Sequence, residues 1–154
     1  MMKVNMLVPT KLMKLFMPVF VKQGSGRVLN VSSSAAMTPG PLQAEYYATK
    51  AYITSLSNAI AYEVKDTGVT VTTLMPGAID TGFAQAGGLT QTKLFAHGAD
   101  PVEVAKKGYD AMLKGKLNVF AGLSRSQRPF VSLMPVLPKK ALMSIVANQQ
   151  SNLN

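Results

Sequence analysis

The chain contains no cysteine. Disulfides, thiolate-bound metals and cysteine nucleophiles are therefore excluded. Such a chain is compatible with the cytosol, and a cytoplasmic location is expected. There is one histidine, His97. A multi-histidine metal site is impossible, and any Ser-His-Asp triad would have to use that residue; no metal site is expected. Acidic residues are scarce, 7 against 16 Lys and Arg, and the net charge is +9. The basic residues are scattered, paired only at Lys106-Lys107 and Lys139-Lys140, with no arginine–aromatic platform. They read as a solvated basic surface, and no nucleic-acid partner is expected. No segment approaches the 18 or more apolar residues of a membrane span. In the first 22 residues Lys11, Lys14 and Pro18 interrupt the apolar stretch, so a signal-peptide core is also absent. A soluble protein without membrane association is the expectation. At 154 residues, 47% hydrophobic, the chain suffices for one domain with a core and is too apolar for disorder.

Helix-like and strand-like segments alternate. Lys3 to Lys22 places Val4, Val8, Leu12, Leu15, Phe16 and Val19 at helical spacing, with a kink or later start expected at Pro9. Gln23-Gly24-Ser25-Gly26 stops that helix, and Arg27 to Val31 reads as a strand. After a Ser/Pro/Gly loop, a long helix is predicted over about 45–65, with Ala51, Leu56, Ala59, Ile60 and Val64 available for its buried face and Gly68 as its stop. Val69 to Leu74 is a second strand, broken by Pro76-Gly77. Asp100-Pro101-Val102-Glu103 combines an N-cap, a first-turn proline and a capping-box glutamate. That helix should reach Lys114, followed by a third strand over 118–122 and two weaker helices in the tail, about 127–137 and 139–149. This alternation predicts an α/β fold with right-handed βαβ units and a parallel sheet. The whole chain, 1–154, is read as a single domain, with 123–154 as a C-terminal helical extension.

Tyr46 and Lys50 stand four apart at the opening of the long helix and share one face. A tyrosine titrates near 10, about three units too high for an anionic base at neutral pH; a nearby ammonium can offset that by about 4 kcal/mol. Such a phenol can exchange a proton with a substrate oxygen. Taken alone, the pair is equally a surface Tyr–Lys contact. Ser33 lies thirteen residues earlier, at the C-terminal end of a predicted parallel strand, the edge where open α/β sheets place ligands. It can hydrogen-bond a carbonyl or alcohol; ordinary loop solvation is the alternative for Ser32-Ser33-Ser34.

Leu29-Asn30-Val31-Ser32-Ser33-Ser34-Ala35, Tyr46-x-x-x-Lys50, Ser55, Ala59, and Pro76-Gly77 with Thr81 together resemble the short-chain dehydrogenase/reductase family. The resemblance covers 1 to about 122 and continues less specifically into the tail. It implies that Ser33 orients the substrate oxygen, Tyr46 is the acid/base, and Lys50 lowers the tyrosine pKa and binds the nicotinamide ribose. Both spacings favour Tyr46 over Tyr47. Asn5, 28 residues before Ser33, matches the family's asparagine that holds a proton-relay water, a helix-start cap being the plainer reading. Pro76, Gly77 and Thr81 resemble the segment contacting the nicotinamide carboxamide. The implied cofactor is NAD or NADP, and the implied substrate a small carbonyl or alcohol compound. Phe83, Leu89 and Phe95, in a mobile lid over 78–98, suggest a hydrophobic substrate, with loop packing as the equal alternative. Helices 3–22 and 45–65 correspond to those that commonly build the family's dimer interface, so a homo-oligomer is expected.

The family's glycine-rich turn, Thr-Gly-x-x-x-Gly-x-Gly, and its Asn-Ala-Gly motif do not occur in this sequence. The expected fold is accordingly a partial, Rossmann-like doubly wound sheet: its three C-terminal strands, with the nicotinamide half of the cofactor site and without the adenosine half. The resemblance implies a truncated chain, most simply a fragment of a longer gene, with a genuine short variant of lost or altered activity as the alternative. Alone, it should bind cofactor poorly and be marginally stable or self-associating, because the first strand keeps an unpaired edge. A non-catalytic protein docking onto itself or a longer relative is the alternative function. The basic, apolar tail from Arg125 to Val146 is read as core packing or a cover over the substrate mouth, ahead of attachment to a membrane surface.

Overall fold

The computed structural model describes residues 1–96 and 98–151; His97, which reads from the sequence as a polar loop residue before the Asp100 cap, lies outside them. Three parallel strands, β1 (Gly26–Val31), β2 (Val69–Pro76) and β3 (Asn118–Ala121), form one sheet in the order β1-β2-β3. The register pairs Gly26 with Val69 through Val31 with Leu74, then Thr73 with Asn118 through Pro76 with Ala121. Helix α1 (Val8–Gln23) precedes β1, α2 (Ala44–Glu63) joins β1 to β2, and α4 (Pro101–Leu113) joins β2 to β3. A short α3 (Gly82–Ala86) lies between β2 and α4, while α5 (Gln127–Leu133) and α6 (Lys139–Gln150) form the tail. This is the α/β architecture that the alternation predicted.

Side chains alternate across β2. Val69 and Val71 pack with Met13 and Met17 of α1 and Ile53 of α2 on one face; Leu74 packs with Val104 of α4 and Ala121 on the other. Asp100 caps α4 as its sequence predicts, its carboxylate accepting from the Val102 amide at 2.9 Å. Pro9 marks a change of winding: Lys3–Leu7 is a π-turn and the regular α-helix begins at Val8. A proline inside a helix has no amide to donate and crowds the carbonyl four residues back, which a wider turn accommodates.

Two predicted helix faces are corrected. On α1 the buried residues are Met13 and Met17, while Val4, Val8, Leu12, Leu15, Phe16 and Val19 are all exposed. The helix is apolar around most of its circumference, so periodicity picked the broader stripe rather than the one the sheet covers. On α2 the expected Val64 is buried and Leu56 and Ile60 pack against the core, but Ala51 and Ala59 are exposed and the buried set is Tyr47, Thr49, Ile53, Thr54 and Ser57. Polar Asn30 and Ser32 face this helix from β1 and its end, and hydroxyls satisfy them where alanines could not. Asn30 donates to Ser57 at 2.8 Å and to the Met13 sulfur at 3.1 Å. The membrane expectation is also amended. Lys3–Gln23 is one helix of 21 residues long and apolar enough to cross a bilayer by length and composition, although Met13 and Met17 bury part of it in this domain.

The turn from α2 into β2 depends on Gly68, whose φ is +75°. A Cβ there would also strike the Gly24 carbonyl. Gly68→Ala should therefore cost at least ~1 kcal/mol from the left-handed backbone alone, read as a lower urea midpoint at unchanged m-value. An unchanged midpoint contradicts this account.

Candidate active site

At the C-terminal ends of β1 and β2 a cavity of about 550 Å³ opens. Asn5, Ser33, Tyr46, Lys50, Pro76, Gly77 and Thr81 all line it. Seven residues, the first and last of them 76 positions apart in the sequence, thus meet at one place.

Local bonds explain how they are held. Ser32 donates to the Lys50 carbonyl at 2.9 Å and lies 2.6 Å from the Thr54 hydroxyl. Because the Ser32 proton is committed to Lys50, Thr54 is the donor in the second bond. Ser33, next in the chain, accepts the Ala35 amide at 3.1 Å, which starts the 3₁₀ turn Ser34–Met37. Its hydroxyl is within a long 3.4 Å of the Pro76 carbonyl and lines the same cavity as the Tyr46 phenol. The Lys50 ammonium donates to the Val31 carbonyl at 3.0 Å and lies 5.7 Å from the centre of the Tyr46 ring. Thr81 caps α3 by accepting the Phe83 amide at 3.3 Å. Gly77 continues the ladder to β3 through the Ala121 carbonyl, and a Cβ on it would press on Leu123 at 2.6 Å.

The electrostatics differ from the sequence expectation. Burial pushes the Tyr46 phenol above its ordinary value of 10, and the Ser33 hydrogen bond opposes that rise. Burial likewise pushes the Lys50 ammonium below its usual value. The depression of Tyr46 by Lys50 is therefore absent from the free chain: the amine is drawn to Val31, and both groups lose hydration.

Thr49 was not singled out by the sequence. Fully buried, it accepts from the Asn5 amide at 3.0 Å and donates to the Tyr46 carbonyl at 2.8 Å. It therefore links the start of the first helix to the backbone of Tyr46. Its position, one residue before Lys50 and three after Tyr46, was the available signal. The tail supplies residues that no local pattern marks. Gln150 of α6 donates to the Tyr47 hydroxyl at 3.0 Å and accepts from Gln43. Phe130, Val131, Met134 and Val146 line the cavity, so the tail covers the site as one of its two main expected roles. The stretch 78–98 reaches the same cavity through Phe83 and Phe95. Phe83 stands 5.3 Å from the Tyr46 ring and 6.0 Å from Phe95, centre to centre. Its neck is closed by a bridge between Ile79 and Ala99.

Ser33→Ala should move Tyr46 ionisation to still higher pH, because the bond it removes favours the phenolate. Alkaline absorbance titration, with Tyr46→Phe identifying the step, checks the direction; an unmoved or lowered step contradicts the assignment.

Residues 1–91 match the family described as short chain dehydrogenase. A 2,5-dichloro-2,5-cyclohexadiene-1,4-diol dehydrogenase of Sphingobium indicum is 43% identical over 68 residues, 44% of this chain and 27% of that protein. A very-long-chain 3-oxoacyl-CoA reductase of Mus musculus is 35% identical over 82 residues, 53% of this chain and 26% of that protein. Among solved structures, a short-chain dehydrogenase from Streptomyces avermitilis aligns with TM-score 0.68 and 26% identity over 93% of this chain and 55% of its own. One from Burkholderia cenocepacia J2315, in complex with NADP, aligns with TM-score 0.74 and 23% identity over 94% and 56%. The matched stretches thus span about a quarter of these curated relatives and just over half of these solved chains. With the family match covering more than half of the chain, on a sheet and site of this form, the protein belongs to the short chain dehydrogenase family.

Proposed function

We propose that this chain carries the catalytic and nicotinamide-facing half of an NAD(P)-dependent oxidoreductase acting on small, hydrophobic carbonyl or alcohol compounds. One observation carries the reading: Asn5, Ser33, Tyr46 and Lys50 line a single cavity together with Pro76, Gly77 and Thr81. On this reading residues 1–154 act as one domain in the cytoplasm, with 123–154 covering the substrate end.

The residues suit the nicotinamide and ribose end of the cofactor. Lys50 spends one of its three N–H donors on Val31 and lines the cavity, which leaves donors for ribose hydroxyls. Pro76, Gly77 and Thr81 form the wall assigned to the carboxamide. The sequence has no glycine-rich turn for the pyrophosphate, so the adenosine half is not assigned to these residues. When bound, the nicotinamide supplies or accepts the hydride at the substrate carbon.

Ser33 and Tyr46, which line the same cavity, can both turn to one substrate oxygen. In the reductive direction Ser33 donates to that oxygen and Tyr46 gives it a proton; in oxidation Tyr46 removes it. The phenolate left behind is favoured by the Ser33 hydroxyl, which opposes the rise that burial causes. Asn5, with its amide nitrogen on Thr49, keeps its carboxamide oxygen as an acceptor for a relay water.

Mixed with millimolar NADPH or NADH and a cyclic ketone, the chain should consume the reduced cofactor at 340 nm. Tyr46→Phe should slow this ~10²-fold or more without changing cofactor binding. Equal rates for the two proteins would remove the acid/base role.

A second reading, docking onto another copy or a longer relative, is favoured by the first helix and the sheet edge. Leu15 is 65% exposed, Phe16 45% and Val19 49%, and β1 pairs only with β2 among the described residues. Unpaired edges and wide apolar patches are templates for association. Light scattering should find a dimer or larger species that Leu15→Glu with Phe16→Glu disperses; a monomer at high concentration would dismiss this reading.

A further inference from the structure

We infer that the cavity selects uncharged, ring-bearing ketones or secondary alcohols and rejects substrates whose enclosed part carries a carboxylate or phosphate. The inference rests on the oxidoreductase reading of the same site and adds the chemical class of its substrate.

The wall is the first argument. Among the described residues lining the cavity, Lys50 is the one charged side chain; there is no arginine, aspartate or glutamate. The Lys50 ammonium is held at the Tyr46 end by the Val31 carbonyl, and it is the group reserved above for the ribose. Among the described lining residues no second cationic side chain stands along the wall to receive an anion. This holds in a protein of net charge +9, where an arginine or lysine at the cavity would be unremarkable by composition.

The neutral polar groups are the second argument. Gln43, Tyr47 and Gln150, which also line the cavity, are engaged with one another: Gln150 donates to the Tyr47 hydroxyl and accepts from the Gln43 amide. No buried side-chain polar atom of the described lining residues lacks a partner. A carboxylate entering here would lose its hydration and find, beyond the Lys50 ammonium, only neutral hydroxyl and amide donors among the described lining side chains, which disfavours it.

The remaining surface is apolar and partly flat. Phe83, Phe95, Leu123, Phe130, Met134 and Val146 line the cavity. Phe83 is stacked obliquely between Tyr46 and Phe95, so a run of three ring faces leads from the acid/base residue. Ring-shaped apolar bodies match such a wall better than extended flexible ones, which lose more rotational freedom on binding. The titrating groups agree: Tyr46, Tyr47 and Lys50 are each displaced by burial toward their neutral forms.

Saturation-transfer NMR on the full chain with trans-1-decalone and with 4-oxocyclohexanecarboxylate tests this. Decalone should bind at least tenfold more tightly and show transfer from aromatic protons. Phe130→Arg, at an exposed lining position, should narrow or reverse the preference. Gln127→Lys, also exposed and lining the cavity, provides an independent second cation should the first variant unfold. Keto-acid binding equal to or tighter than decalone in the native chain would overturn the inference, as would failure of decalone to bind. Tyr46→Phe separates the two proposals. If it retains full turnover while decalone still outcompetes the keto acid, the oxidoreductase role falls and the charge selectivity stands. If it abolishes turnover while the keto acid binds as well, the reverse holds.

Discussion

The structure hinges on how the first turns of α2 are fastened to the end of β1. Ser32 holds the Lys50 carbonyl and receives the Thr54 hydroxyl, while the Lys50 side chain returns to the Val31 carbonyl. Three short bonds therefore cross between a strand end and a helix start within a few residues of Ser33 and Tyr46. Bonds of this kind contribute modest net stability, about 1 kcal/mol each, and breaking the buried one between Ser32 and Thr54 leaves a desolvated partner behind. Their larger effect is geometric. They fix the rotation of α2 about its axis and so decide that Tyr46 faces the same space as Ser33. The bond from Thr49 to the Tyr46 carbonyl, carrying the Asn5 amide on its other side, extends the arrangement to the start of the first helix.

The strands were legible because they are short, β-branched and bounded by glycine, and α4 because its start is written in three neighbouring residues. The meeting of Ser33, Tyr46 and Lys50 was legible because two elements separated by a single loop carry all three. The faces of α1 and α2 were not. In α1 nearly every position is apolar, so periodicity carries little information about orientation; in α2 Leu56, Ile60 and Val64 were legible, but Thr49, Thr54 and Ser57, buried beside Tyr47 and Ile53, are residues that a hydrophobicity pattern assigns to solvent. The roof was equally invisible. Gln150 and Tyr47 are 103 residues apart, and a glutamine near the end of a weakly patterned helix gives no local indication that it is buried at 5% exposure.

The electrostatics place the free site in a resting condition rather than an activated one. Burial holds the phenol protonated and weakens the ammonium beside it. An arrangement with Lys50 directly on the Tyr46 oxygen would have put opposite charges together in a poorly hydrated space, where each requires the other. Instead Lys50 leans on a backbone carbonyl and Tyr46 on a serine hydroxyl. Both partners are neutral, and the cavity can be assembled without forming an ion pair in it.

The bridge between Ile79 and Ala99 ties together the two ends of the segment that carries Phe83 and Phe95. The Asp80 amide meets the Ala99 carbonyl, and the Ala99 amide meets the Ala78 carbonyl, each at 3.0 Å. The described residues between those bonds are moored again beyond the sheet: Lys93 bonds Asn148 and Ser151 of the tail, and Phe83 leans on Tyr46. A change of sequence in this span would therefore be felt by the tail and by the phenol together, while the two bonds at its neck keep β2 in register with the start of α4.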